Sequence, residues 1–154
     1  MGGRLIGPTL QGLADGSLRD EIQDEAQVTY ASKLSKEMER LDPRRESAVE
    51  LDRRVRALSP WPGTSVLVSI EGGSVRLKIK AAQPLRGSKV SAGDLDEHAG
   101  MAALGTHDGL LMLERVQWDG KREMTGAELL NGLRGRKIAL PLKTVAAVDA
   151  ASAT

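Results

Sequence analysis

The sequence predicts a mainly-β domain with flanking helices, its short strands wrapped into a closed or nearly closed barrel rather than laid out as βαβ units. Three features carry that expectation. Apolar residues alternate over short runs, as from Ser65 to Ile70 and from Val75 to Ile79. Turn signals separate the runs: Glu71-Gly72-Gly73-Ser74, His107-Asp108-Gly109 and Asp119-Gly120. Two Ser/Thr-x-x-Glu pairs, Ser47 with Glu50 and Thr125 with Glu128, mark helix starts by the capping-box pattern.

In chain order, Gly7-Pro8 opens a short helix, because proline is tolerated in a first turn, and Asp15-Gly16 closes it. Leu10, Leu13 and Ala14 give that helix an apolar stripe. Ser17 to Asp42 reads as a polar linker with little periodicity. The helix begun at Ser47 turns Val49 (or Ala48), Leu51, Val55 and Leu58 toward a core and points Arg53, Arg54 and Arg56 elsewhere. Ser59-Pro60 ends it, since a residue before proline is pushed out of the α region. Pro62-Gly63 turns into a first strand, where Val66, Val68 and Ile70 alternate with Ser65, Leu67 and Ser69. A second strand runs from Val75 to Ala81. Ser88 to Asp96 and Met101 to Gly105 are weaker strands, and Leu110 to Trp118 follows. The second capped helix reaches Leu133, Ile138 to Leu142 forms a last strand, and the Ala-rich end from Val145 to Thr154 reads as frayed.

Composition narrows the class. There is no cysteine, so no disulfide framework and no thiol chemistry, which suits a reducing compartment. No apolar run approaches the roughly 18 residues of a membrane span, and a cytoplasmic protein with no membrane partner is expected. Tyr30, Trp61 and Trp118 are the only aromatics, so the core must be Val, Leu, Ile, Met and Ala, with Met101, Met112 and Met124 in or near it. His98 and His107, even with Asp108, are too few for a metal site, and no metal is expected. Gly2-Gly3 and Gly72-Gly73 lack phosphate-loop spacing, and Asp24-Glu25 reads as a solvated pair. Trp61 could stack on a base, but between two prolines beside an apolar helix it reads more readily as a packed anchor.

The net charge of +1 hides an asymmetry. Met1 to Asp52 carries 7 Lys+Arg against 11 Asp+Glu, whereas Arg53 to Lys143 carries 15 against 9. A basic domain behind an acidic leader points to a polyanionic partner. In the second strand Val75, Leu77 and Ile79 alternate with Arg76, Lys78 and Lys80, so burying one side displays three cations on the other. Such a row suits a phosphate backbone, where affinity comes from neutralised charge and falls with salt.

An ordered set of motifs resembles the C-terminal part of methionyl-tRNA formyltransferases. Arg53-Arg54-Val55-Arg56-Ala57 leads into Pro60-Trp61-Pro62-Gly63, like the family's Arg-x-Ile-Arg-Ala and Pro-x-Pro-Gly. Upstream, Gln23-Asp24-Glu25 and Thr29-Tyr30-Ala31-Ser32-Lys33-Leu34-Ser35-Lys36-Glu37 look like its linker. Downstream, Asp108-Gly109, Leu110 to Leu113, Gly120-Lys121-Arg122-Glu123-Met124 and Leu129-Leu130-Asn131-Gly132 keep the family order. Leu41-Asp42-Pro43 departs from the usual Ile-Asp-Trp and loses the packing of that ring.

The resemblance spans Ile6 to Leu142 and implies a division into a remnant helix of a catalytic domain (1–16), a linker (17–45), a C-terminal barrel (46–143) and a flexible tail (144–154). It implies a small open Greek-key, OB-like barrel that holds initiator Met-tRNA during formylation from 10-formyltetrahydrofolate in translation initiation. The family's catalytic Asn, His and Asp belong to the part not matched, so no catalytic residue and no cofactor is assigned to this chain. A separate catalytic domain is an implied partner, the chain being a fragment, a truncated product or a split subunit. Cations at Lys33, Lys36, Arg54, Arg56, Arg76, Lys78, Lys80, Lys121 and Arg122 are the expected tRNA contacts, with at least one of the helix arginines bracing acidic neighbours instead. Similar barrels in sugar-nucleotide and folate formyltransferases give the alternative, an accessory domain without RNA. A folded but functionless remnant is the plainest alternative.

Overall fold

The structure is a computed structural model that describes residues 2–87 and 90–145, so the expected tail from 146 onward lies outside the described residues. The chain divides between Lys33 and Leu34 into two compact units.

In the first unit, helix α1 spans Gly2–Ala14 and starts before the expected Gly7-Pro8 opening, with Pro8 inside it. The reason is the spacing: Leu5 and Ile6 continue the stripe of Leu10 and Leu13 one turn back, and all four are exposed. At Gly16, where φ is 72°, the chain reverses. Leu18 then folds over Gly12, its N–H reaching the Gly12 carbonyl at 3.0 Å. A Cβ on Gly12 would stand 2.6 Å from the Leu18 Cγ, so any larger residue would push the Leu18 side chain aside. A single 3-10 turn, Glu25–Gln27, is capped by the Asp24 carboxylate.

The second unit is the barrel. Helix α2 spans Ala48–Ala57, and strands β1 (Thr64–Ile70), β2 (Gly73–Arg86), β3 (Asp94–His98), β4 (Met101–Gly105), β5 (Gly109–Trp118) and β6 (Glu123–Thr125) follow. Helix α3 (Gly126–Gly135) and strand β7 (Leu142–Val145) complete it. Every strand pairing is antiparallel. The order β2-β1-β7-β3-β4-β5 is closed by pairing of β2 with β5, and β6 hangs on the outer side of β5. The barrel is therefore closed rather than open. Closure comes from the length of β2, which runs past the expected Ala81 end to Arg86 and pairs with β5 from Leu77↔Trp118 to Arg86↔Gly109.

Both capping boxes form: Ser47 and Thr125 each accept the backbone N–H three residues on, and Glu50 and Glu128 reach back to the cap N–H. The α2 core face uses Ala48, Leu51, Val55 and Leu58, with Val49 only half-buried. The core joins Leu51 and Val55 to Val68, Leu77, Ile79, Leu95, Leu104, Leu111, Leu113 and Val116, and α3 closes one side with Leu129, Leu130 and Leu133. Val75, expected inside, is 39% exposed, because it sits at the hairpin end before the barrel wall is covered.

Residues 34–45 fold with the barrel. Leu41 is buried, and its N–H donates to the Ser65 carbonyl at 3.0 Å. Arg44 Nη2 donates to the Thr144 carbonyl at 2.8 Å, tying this segment to β7. The last strand is shifted from the expected 138–142: Ile138 and Leu140 pack on the core from irregular chain, and pairing starts at Leu142. Lys137, at φ 58°, makes the break.

Close packing fixes glycines in the barrel wall, Gly105 among them. A Cβ on Gly105 would lie 2.1 Å from the Ser91 carbonyl oxygen. Gly105→Ala should lower stability by about 1–3 kcal/mol through overpacking, read as a lower denaturant midpoint. An unchanged midpoint would mean that the Ser91 backbone yields freely.

Candidate nucleic-acid interface

The cationic row forms as the alternation requires. Leu77 and Ile79 are buried, while Arg76 and Lys80 are exposed and Lys78 is half-exposed on the outer side of β2. Residues two apart on a strand stand roughly 6–7 Å from each other, so the row spans about 13 Å. Its Lys80 end is irregular. Ile79 pairs with Val116 and Ala81 with Arg115, so Lys80 is the extra residue of a β-bulge, and Glu114 is the extra residue on β5 just beyond. The paired bulges switch the inward positions from Leu77 and Ile79 to Ala82 on β2.

Carboxylates meet most of the expected contacts. Arg76 Nη1 lies 3.4 Å from Glu39 Oε1, Lys78 Nζ 2.9 Å from Asp119 Oδ1, Arg56 Nη2 3.0 Å from Asp52 Oδ2 and Arg122 Nη2 3.8 Å from Glu128 Oε1. The Asp52 and Glu39 carboxylates are largely buried, whereas Lys78–Asp119 and Arg122–Glu128 are open pairs worth about 0–1 kcal/mol, whose carboxylate an arriving phosphate can displace. Lys80 and Lys121 are exposed and make no ion pair among the described residues. Lys36 and Arg76 share a cleft of about 650 Å³ with Glu39, Arg40 and Ser65. Lys33 is exposed at the end of the first unit, and Lys36 lies in the second.

Arg54 is engaged within the barrel unit. Its guanidinium binds the Glu46 carboxylate and the carbonyls of Met38 and Arg40, the last at 2.9 Å. With its donors consumed by α2's acidic neighbour and by the backbone of residues 38–40, it is a brace. Residues that sequence reasoning missed also hold the site. Glu39 accepts both Ser65 Oγ–H at 3.0 Å and Arg76, fixing the 3-10 turn Lys36–Glu39 over β1. The exposed Trp61, at 59%, overturns its reading as a packed anchor. Its flanking prolines shape the turn, which the Gly63 N–H closes on the Leu58 carbonyl.

The carboxylates that cap α2 and α3 respond to acid. Asp108 accepts the Ala48 N–H at 2.9 Å and the Thr106 hydroxyl at 3.0 Å, which hold its carboxyl below the usual value of 3.8. Glu50 and Glu128 are held low by the Ser47 and Thr125 N–H groups and hydroxyls. A depressed folded value adds stability that is complete above the unfolded value and is lost as pH falls through the folded one. Stability should be level at neutral pH and decline below about pH 5. Asp108→Asn should flatten that decline, as measured by denaturant midpoints from pH 7 to pH 3. An equally steep decline in the variant would remove Asp108 from the effect.

Among the described residues no group of three or more His, Cys, Asp or Glu could hold a metal ion, and no helix is long and apolar enough to cross a membrane.

A closed antiparallel barrel with two capped helices and a cationic strand defines the class. Residues 33–134 match the family described as Formyl transferase, C-terminal domain, and the chain belongs to that family. It is 38% identical over 134 residues to a methionyl-tRNA formyltransferase of Pseudomonas paraeruginosa, covering 87% of this chain and 42% of that protein. It is also 38% identical over 145 residues to one from Marinobacter nauticus, covering 92% of this chain and 44% of that protein. The chain thus spans less than half the length of these relatives. In fold it is similar to HypX from Aquifex aeolicus, with a TM-score of 0.56 at 20% identity over 84% of this chain and 23% of that one. A HypX structure in complex with tetrahydrofolic acid gives 0.53 at 22% identity, over 82% and 22%.

Proposed function

We propose that this chain is the tRNA-holding part of a methionyl-tRNA formyltransferase and serves translation initiation in the cytoplasm. The observation that carries the reading is the outward row Arg76, Lys78 and Lys80 on a barrel strand, with Lys121 beside it through Gln117. Lys36, Arg56 and Arg122 are further exposed cations of the barrel unit, and Lys33 is an exposed cation of the first unit. Phosphate contact and shape dominate recognition of helical RNA, so the module supplies affinity more than discrimination.

Formyl transfer from 10-formyltetrahydrofolate, and the residues that perform it, are assigned to the remainder of a parent enzyme.

Lysine acetylation footprinting tests the map. Initiator tRNA should protect Lys36, Lys78, Lys80 and Lys121, and leave Lys143, which is held by Asp94 on β3, unchanged. Uniform reactivity with and without tRNA would contradict it. One observation favours the second reading, an accessory domain without RNA: Arg56, Arg76, Lys78 and Arg122 are all paired with carboxylates. On that reading no lysine is protected.

A further inference from the structure

Close in the chain to the start of β1, which pairs with the cationic strand, stands a large exposed aromatic side chain. Trp61 is 59% exposed in a domain whose core holds no fully buried aromatic residue. It is held in place. Pro60 and Pro62 flank it, and the turn is closed by the Gly63 N–H donating to the Leu58 carbonyl at 2.9 Å. The next residue, Thr64, pairs with Ile79 across the hairpin, and its hydroxyl donates to the Ile79 carbonyl at 2.9 Å. This pins the tryptophan turn against β2 one residue before Lys80. Lys80 is the bulged residue, exposed and without an ion pair among the described residues.

We propose that Trp61 is a stacking platform for an unpaired nucleotide of the bound RNA, whose backbone runs over Lys80 and along the β2 row. This rests on the RNA-holding reading and deepens it by naming unpaired RNA as part of what is held. The chemistry is that of single-strand binding, in which a cationic track follows the phosphates and an aromatic face takes a base. The two prolines restrict the backbone that carries the ring, so less backbone freedom is lost when a base arrives. A protein partner would need an apolar rim. The nearest large apolar side chains in sequence, Leu58 and Val66, are buried, and only the small apolar side chains of Ala57, Pro60 and Pro62 are open nearby.

The test uses the full chain with a labelled oligouridylate of about eight nucleotides and an RNA duplex, read by fluorescence anisotropy. Trp61→Leu should weaken single-strand binding about five- to 150-fold, the usual range for loss of one stacked base. Its salt slope should stay the same, because no charge is lost, and duplex binding should change less than about twofold. Trp61→Phe should restore most of the affinity, and Lys80→Ala should lower the salt slope. If Trp61→Leu leaves single-strand affinity intact while Lys80→Ala weakens it, stacking is overturned and the RNA-holding reading stands. Equal losses on strand and duplex also overturn stacking and make Trp61 a structural residue. If the unaltered chain binds neither RNA, both readings fall.

Discussion

Replacing Lys78 and Lys80 together by alanine is expected to weaken tRNA binding about ten- to thirtyfold and to lower its salt slope by about 1.4–1.8. The first figure takes roughly 1 kcal/mol for each cation facing an anionic surface. The second takes about 0.7–0.9 per neutralised phosphate. Both side chains lie on the outer side of β2, while the adjoining Leu77 and Ile79 carry the packing. Folding should therefore be almost untouched. Lys78 does lose Asp119, but an exposed pair contributes little. The Lys78 ammonium holds the Asp119 carboxyl below its usual value through a hydrogen bond and its charge, so in the variant that carboxyl should titrate higher. Unchanged affinity and salt slope, with the Asp119 titration moved, would show that the row is only a solvated surface.

Arg54→Met is expected to destabilise the barrel by about 2–3 kcal/mol, a loss of folding where the lysine pair costs binding. One guanidinium joins three acceptors, the Glu46 carboxylate and two backbone carbonyls, and only about a third of its side chain is exposed. Methionine can fill much of the volume but leaves those acceptors short of a charged donor. Hydrogen bonds to charged groups are worth about 1.5–3 kcal/mol, and the partial exposure keeps the cost below that of a fully buried broken pair. The loss should be local first. Leu41 and the Lys36–Glu39 turn depend on this brace, so hydrogen exchange at the Leu41 N–H, bonded to Ser65, should speed up before the strands open. An unchanged denaturant midpoint and unchanged exchange at Leu41 would show that Arg54 braces nothing.

These arginine and lysine groups look alike in sequence, and their separation shows what can be read from it. Local signals are legible. Ser47-x-x-Glu50 and Thr125-x-x-Glu128 form capping boxes, and Gly72 at φ 81° turns the β1–β2 hairpin where the glycines predict it. The apolar alternation places Leu77 and Ile79 inward. Properties set by partners distant in sequence are not legible. Closure depends on β2 meeting β5, and the bulge at Lys80 exists only relative to that partner. Leu41 carries no periodic signal in its polar surroundings, yet it is buried because Ser65 and Arg44 hold the segment on the barrel. Nothing local distinguishes Arg54 from Arg53 and Arg56. Only the return of residues 38–46 past α2 brings its three acceptors to it. Trp61 likewise is exposed where its two prolines and the adjoining apolar helix predict burial.

The central claim is that this barrel holds tRNA through displaced surface ion pairs. The most direct measurement is binding of the chain to initiator tRNA across a salt series, with a DNA duplex as competitor. Saturable binding that prefers tRNA and weakens steeply and linearly in log–log form as salt rises is the predicted result. No binding at low salt, or equal competition by DNA, would contradict it.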